Sequence, residues 1–199
     1  MKQIVVIGGG DAFPTYDAYF SFLKNFKPES IEYFKRGEDW KAGLQETLGR
    51  AYEVIIPRMP NRSNAKYLEW KLWFEKLFPF LNDEVILIGH SIGAVFLTKY
   101  LSWEPFPKKI LATVLVSGPY DTDEDRPLVE FTLPNSLALF KEQSSKIFLY
   151  HSKDDPTVAF SELAKYQKAL PHAQSRVFDD RQHFNQENFP ELVADIKSL

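Results

Sequence analysis

Cysteine is absent from the 199-residue sequence, which removes disulfide staples, thiolate metal sites and a cysteine nucleophile together. The compartment stays open, because many secreted proteins also lack disulfides. Cationic excess is lacking as well: 24 lysines and arginines face 27 acids, giving a formal net charge of −3 and a pI near 5.8. No cluster of Lys and Arg interleaves with stacking aromatics, so nucleic acid is not an expected partner. No apolar run approaches the roughly 18 residues of a membrane span. The tract Ile4–Ile7 is stopped by Gly8-Gly9-Gly10-Asp11, too early for the core of a signal peptide. A soluble, cytoplasmic protein is the default, with no membrane partner. Internal repeats and low-complexity segments are missing too.

What is present is apolar material: 44% of the residues are hydrophobic and 15% aromatic. At this length the expectation is one domain over residues 1–199 around one sizeable core. Short β-branched runs alternate with longer, helix-periodic segments, the pattern of an α/β fold with a mostly parallel sheet. The predicted strands are Ile4–Ile7, Glu53–Ile56, Val85–Ile88, Thr113–Val116, Lys146–Tyr150 and Ser175–Phe178. Their near-continuous apolar character fits strands covered by helices on both faces. The clearest helix pattern runs from Ala65 to Leu81, with Tyr67, Trp70, Phe74, Leu77 and Leu81 recurring at spacings of three and four. That aromatic stripe reads as a core-facing seam rather than a cofactor box. Further helices are expected around Tyr16–Phe26, Trp40–Ala51, Ser91–Leu101, Ser136–Glu142 and Ser161–Leu170, with a last one starting at Pro190. The stretch Tyr120–Asn135, acidic and holding two prolines, reads as a solvated loop, with a lid as the functional alternative.

The chemistry centres on Gly89-His90-Ser91-Ile92-Gly93, set between a buried-strand pattern and a helix pattern. A serine lifted on a sharp strand-to-helix turn needs small residues two before and two after it, and Gly89 and Gly93 supply them. The turn sets the hydroxyl at a helix amino terminus, where the Ile92 amide can face developing negative charge. The alternative is a serine that merely caps the helix. Of four histidines, His90 should turn away from Ser91 by alternation, His151 ends a strand, and His172 sits in a surface turn. His183 follows the last strand and so belongs at the same carboxyl edge as Ser91. Asp154 and Asp155 follow the fifth predicted strand at that edge, while Asp179 and Asp180 are rival acids too close in sequence to His183 for good geometry. The order Ser, Asp, His is the chain order of α/β-hydrolases. The Gly8-Gly9-Gly10 loop after the first strand can offer a second amide, Gly10, to an oxyanion. Dinucleotide binding is the rival use of such a loop, but Phe13 breaks the glycine fingerprint.

These features resemble the small α/β-hydrolases related to retinoblastoma-binding protein 9. The resemblance rests on the glycine loop, Gly89-His90-Ser91-Ile92-Gly93-Ala94, Ser152-Lys153-Asp154-Asp155-Pro156, and His183-Phe184 before a final helix. It implies Asp155, directly before proline, as the acid of a Ser91–His183–Asp155 triad, and a six-stranded sheet in order 2-1-3-4-5-6 with a minimal cap. Two positions depart from the family pattern: Gln182 stands where glycine commonly precedes the histidine, and the glycine loop lacks a polar residue. The expected activity is a serine hydrolase, an esterase rather than a peptidase, cleaving a carboxylic ester or an amide of a small acyl substrate through an acyl-enzyme. Ile92 and Gly10 are the expected oxyanion donors, and Phe13, Tyr120 and Phe184 the expected substrate-lining aromatics. No metal or organic cofactor is called for, and a monomer is the default. The alternative is a protein-interaction module on the same fold with weak or no catalysis, since the family's name records a protein partner. The Leu-x-Cys-x-Glu peptide used for retinoblastoma-type binding cannot occur in a chain without cysteine.

Overall fold

The structure, a computed structural model, describes residues 1–28, 30–34, 39–121 and 127–199. Its strands are β1 (Lys2–Ile7), β2 (Tyr52–Ile55), β3 (Glu84–His90), β4 (Lys109–Val116), β5 (Ile147–Ser152) and β6 (Gln174–Phe178). They form one sheet in order β2-β1-β3-β4-β5-β6, with every neighbouring pair parallel. The order is the one implied by the hydrolase resemblance. The helices are α1 (Tyr16–Asn25), α2 (Trp40–Leu48), α3 (Tyr67–Glu75), α4 (Ile92–Trp103), α5 (Ala138–Gln143), α6 (Ser161–Ala169) and α7 (Pro190–Lys197). All six predicted strands are present, shifted by a few residues at their ends.

Alternation along the strands divides the core. Val5 and Ile7, with Val85 and Leu87, face a cluster built on Trp70 and Phe74 of α3 and Phe96 and Tyr100 of α4. Ile4 and Val6, with Ile86 and Ile88, face Trp40 and Leu44 of α2 and Leu192 and Ile196 of α7. Because both faces of the inner strands are covered, each of those strands reads as one apolar run. Helix α1 differs: it buries none of its residues, and Phe13 contacts Tyr19 and Phe22 at ring distances of 5.3 and 5.2 Å.

Two helix lengths depart from expectation for local reasons. The 65–81 pattern is helical only to Glu75, and Phe78–Phe80 forms a separate 3-10 turn. Pro79 has no N–H to donate to the Glu75 carbonyl, so the α-helical ladder stops there although Leu81 still packs in the core. Helix α2 stops at Leu48 because Gly49 takes φ 78°. Of the stretch 120–135, expected as a loop or lid, residues 122–126 lie outside the described residues. Leu128 and Phe131, in the same stretch, are buried core. No helix among the described residues is long and apolar enough to cross a membrane.

Helix α4 is seated against β1 through a backbone contact. A Cβ on Gly93 would lie 2.2 Å from the Ile7 carbonyl oxygen and 2.7 Å from that of Gly8. A Cβ on Gly89 would lie 2.5 Å from the Ala94 Cα. Neither neighbour is a flexible side chain, so Gly93→Ala must push α4 off the sheet. The expected cost is on the order of 3 kcal/mol, read as a fall in thermal midpoint of roughly 6–12 °C for a chain of this size. An unchanged midpoint would mean that the helix can shift freely.

Candidate active site

The parallel sheet brings the loops after β1, β3, β4, β5 and β6 to one edge, and the predicted site residues lie on them. Ser91 follows β3 directly and takes φ 57° and ψ −128°, a conformation that costs a non-glycine residue about 1–3 kcal/mol. Its backbone N–H donates to Val116 O at 2.9 Å, which ties the turn to the end of β4. Its side chain makes no capping hydrogen bond to α4. The helix-cap alternative therefore fails, and the hydroxyl is not engaged by the helix. The Ile92 N–H lies in the first turn of α4, where no intrahelical carbonyl can accept from it.

Within the glycine loop the residues divide their contacts. A Cβ on Gly9 would sit 3.1 Å from Ser91 Cβ and 3.5 Å from its Oγ, so Gly9 is the residue that lies against the serine side chain. Gly10 lies against the backbone of Arg62, whose carbonyl would meet a Cβ there at 2.5 Å. Arg62 braces the loop from outside: its Nε–H donates to Gly9 O at 2.8 Å, and its carbonyl accepts from Asp11 N–H at 2.8 Å.

Asp155 and His183 meet. The imidazole Nδ1 lies 3.0 and 3.1 Å from the two carboxylate oxygens. An ionised carboxylate only accepts, so Nδ1 carries a proton, and in the neutral form of the ring the free lone pair is on Nε2. The Asp155 side chain has no exposed surface, and every donor around it comes from the same edge. Ser117 Oγ–H donates to it at 2.6 Å, Thr157 N–H at 2.8 Å and Val158 N–H at 3.0 Å. Ser117 went unread in the sequence, where it is one more serine after a strand. Its φ of 44° and complete burial mark it as a second tight turn at the same edge.

The remaining candidates separate cleanly. Asp154 does not touch His183. Its Oδ1 accepts from Gln182 N–H at 2.9 Å and from Ser152 Oγ–H, and Ser152 Oγ accepts from Arg181 N–H at 3.1 Å. Asp154 thus grips the loop that carries the histidine. Asp179 and Asp180 are exposed and pair with Lys153 and Arg181 at 2.8 and 3.3 Å. His151 is buried against Val158 O at 3.1 Å, and His172 is exposed. Phe13 and Tyr120 are half-buried, the latter edge-on to Tyr166 at 4.9 Å. Phe184, expected to line a substrate pocket, has no exposed surface and packs on Phe178 and Phe189 in the core. A phenyl ring turned into the α7 side of the sheet has no face left for a ligand.

A model of the family described as serine hydrolase matches residues 34–190. The chain is 28% identical over 159 residues to Serine hydrolase RBBP9 of Rattus norvegicus, covering 80% of this chain and 83% of that protein. The structure of the ydeN gene product from B. subtilis is similar with a TM-score of 0.76 at 19% identity, over 100% of this chain and 98% of that one. Methylesterase MES16 from Arabidopsis is similar with a TM-score of 0.60 at 13% identity, over 100% and 98%. At those identities the two structures speak for the fold alone.

Burial pushes the Asp155 carboxyl upward. The hydrogen bond and charge of His183, with the Ser117 and Val158 donors, overcome that and hold it at about 2, below the ordinary 3.8. A depressed carboxyl pKa stabilises the folded state fully above the unfolded value, and that contribution fades as pH falls through the folded value. Asp155 should therefore add about 2 kcal/mol above roughly pH 4, lost on acidification towards pH 2. Denaturant unfolding of the parent and Asp155→Asn across pH 6 to 2 checks this. The gap between the two should close below pH 4, and a gap independent of pH would contradict it.

Proposed function

The chain belongs to the serine hydrolase family, and on that premise we propose that it cleaves a carboxylic ester, or an amide, of a small acyl substrate with Ser91, His183 and Asp155. The observation that carries the reading is the buried Asp155 carboxylate, which holds the His183 Nδ1–H at 3.0 Å at the same sheet edge as the strained Ser91. That pairing fixes the imidazole tautomer that a general base for a hydroxyl requires.

Ser91 Oγ attacks the acyl carbon while its proton passes to His183 Nε2, and the carbonyl oxygen becomes an oxyanion. The Ile92 N–H and an amide of the glycine loop, Gly10 or its neighbour Gly9, stabilise that charge. Collapse of the tetrahedral species breaks the bond to the leaving group, which takes the proton from His183 and departs as an alcohol or amine. Water then attacks the Ser91 acyl ester, gives its proton to His183, and the acid leaves as Ser91 Oγ is reprotonated. Every proton is accounted for by one imidazole, and the cycle needs no metal or organic cofactor. Phe13 and Tyr120, half-buried in loops at this edge, are the aromatic surfaces offered to the acyl group. Ester cleavage is the favoured form because an ester carbonyl is more electrophilic than an amide carbonyl and an alkoxide is a better leaving group than an amide nitrogen.

Labelling with a fluorophosphonate tests the reading. The parent protein should react covalently, Ser91→Ala should not react at all, and His183→Ala should react at least about a hundredfold more slowly. The parent should also hydrolyse short-chain 4-nitrophenyl esters. A folded parent that neither labels nor turns over would overturn the proposal and leave a binding role on a hydrolase fold.

A further inference from the structure

The cycle above leaves one buried titratable group next to the nucleophile without a task. His90 precedes Ser91 and is almost fully buried. Its Nδ1 lies 3.2 Å from Lys41 Nζ, and its Nε2 lies 2.8 Å from the carbonyl oxygen of His183. An ammonium has only donors, so Lys41 claims the Nδ1 lone pair and leaves the imidazole proton on Nε2. That proton is the one donated to the His183 carbonyl. Lys41 is itself fixed, with its ammonium 2.5 Å from Asp39 Oδ2 while Asp39 Oδ1 accepts from the Lys41 N–H at 3.0 Å.

The same helix turn reaches the histidine loop twice more. Trp40 Nε1–H donates to Phe184 O at 3.0 Å, and Trp40 N–H donates to Gln186 O at 2.8 Å. The loop needs such holding. Both neighbours of His183, Gln182 at φ 46° and Phe184 at φ 55°, are in the left-handed region without being glycine.

We propose that Lys41 and His90 form a positioning relay, in which a tautomer-locked His90 hydrogen-bonds the His183 backbone and sets the base at the height that Ser91 needs. The inference rests on the Ser91–His183–Asp155 reading. His90 touches no substrate: it acts through the backbone of the base, and its place one residue before the nucleophile ties both reacting groups to one ring. The groups facing His90 are Lys41 from α2, the ring of Trp40, and His183 and Asp155 from the two catalytic loops. Burial first, then the charges of Lys41 and His183, push the imidazole well below its ordinary 6.5, against the pull of its own bond to the His183 carbonyl and of Asp155. A neutral ring is the state in which one nitrogen accepts and the other donates.

The relay is tested on the full chain by combining ring-nitrogen NMR with kinetics on a 4-nitrophenyl ester. In the parent, His90 should appear as the neutral Nε2–H tautomer between pH 5 and pH 8, both limits being approximate. A charged ring or the Nδ1–H tautomer there would overturn the relay whatever the activity. His90→Phe, checked for a folded state by its melting transition, should lose about 10–100-fold in kcat with KM within about twofold. His90→Gln, whose amide can still donate to the His183 carbonyl, should return to within about threefold of the parent. Lys41→Met should fall between these, with Lys41→Gln closer to the parent. Equal losses in folded His90→Phe and His90→Gln would mean that the hydrogen bond is irrelevant. Full activity in His90→Phe beside an inactive His183→Ala would sink the relay and leave the triad standing, whereas an active His183→Ala would remove the triad itself.

Discussion

The contact of Gly93 with the carbonyl oxygens of Ile7 and Gly8 sets how closely α4 approaches β1, and the geometry of the site follows from that spacing. A helix pressed this near the sheet edge leaves no room for a gradual turn after β3. The chain must reverse at Ser91, and it does so at φ 57°. The same closeness lays the glycine loop after β1 over the serine, with Gly9 against the Ser91 side chain. Nucleophile, helix terminus and candidate oxyanion loop are therefore products of one interbackbone contact. Of the nine glycines in the chain, five stand at 8, 9, 10, 89 and 93, around this contact. Strain at the serine is tolerated because the preceding strand, β3, is buried from Val85 to His90 and paired on both sides.

Burial acts differently on the acid. A carboxylate with no exposed surface is costly unless its lone pairs are filled. Asp155 fills them with two backbone N–H groups, a hydroxyl and an imidazole. Three of those donors are local or sit on an adjacent strand end, so the carboxylate is oriented before the histidine is considered. His183 then docks on an acceptor that is already fixed. Asp154, one residue earlier, is exposed and holds the histidine loop through Gln182 N–H and, by way of Ser152, Arg181 N–H. Adjacent aspartates thus divide the work: one binds the ring and the other binds the backbone that carries it.

How much of this was legible depended on the range of each interaction. The strands were, because coverage on both faces prints itself as consecutive β-branched residues in Ile4–Ile7 or Val85–Ile88. Ser91, His183 and the Asp154–Asp155 pair could be gathered because a parallel sheet sends every strand end to one edge, a topological rule that needs no side-chain detail. The choice of Asp155 within that pair came only with the family resemblance. Ser117 could not, since its partner lies 38 residues away and nothing local distinguishes it from other serines after strands. For His90, alternation predicts only that the side chain turns away from Ser91, and says nothing of where it goes. Its partners lie 49 and 93 residues distant. Phe184 misled because position in a loop suggested exposure, while its left-handed backbone turns the ring into the core. Helix α3 ended early because periodicity outlasts helicity: Leu81 keeps the spacing of the seam after Pro79 has broken the helix.

Gln182 joins the local and the long-range parts of the site. Left-handed backbone costs a residue with a Cβ roughly 1–2 kcal/mol, and glycine would remove that cost. Glycine would also widen the conformations open to the loop, because it visits both signs of φ almost equally. A glutamine at φ 46° restricts the loop at the expense of strain, and the strain must be offset by contacts on both sides of the histidine. Those contacts are present. Asp154 and Ser152 hold the chain before His183, and Trp40 holds it after, at Phe184 and Gln186. None of them reaches the His183 carbonyl, and among the described residues the side chain that does is His90. The base is therefore gripped at three successive places along the loop by three different elements of the fold, and the middle grip comes from the residue beside the nucleophile.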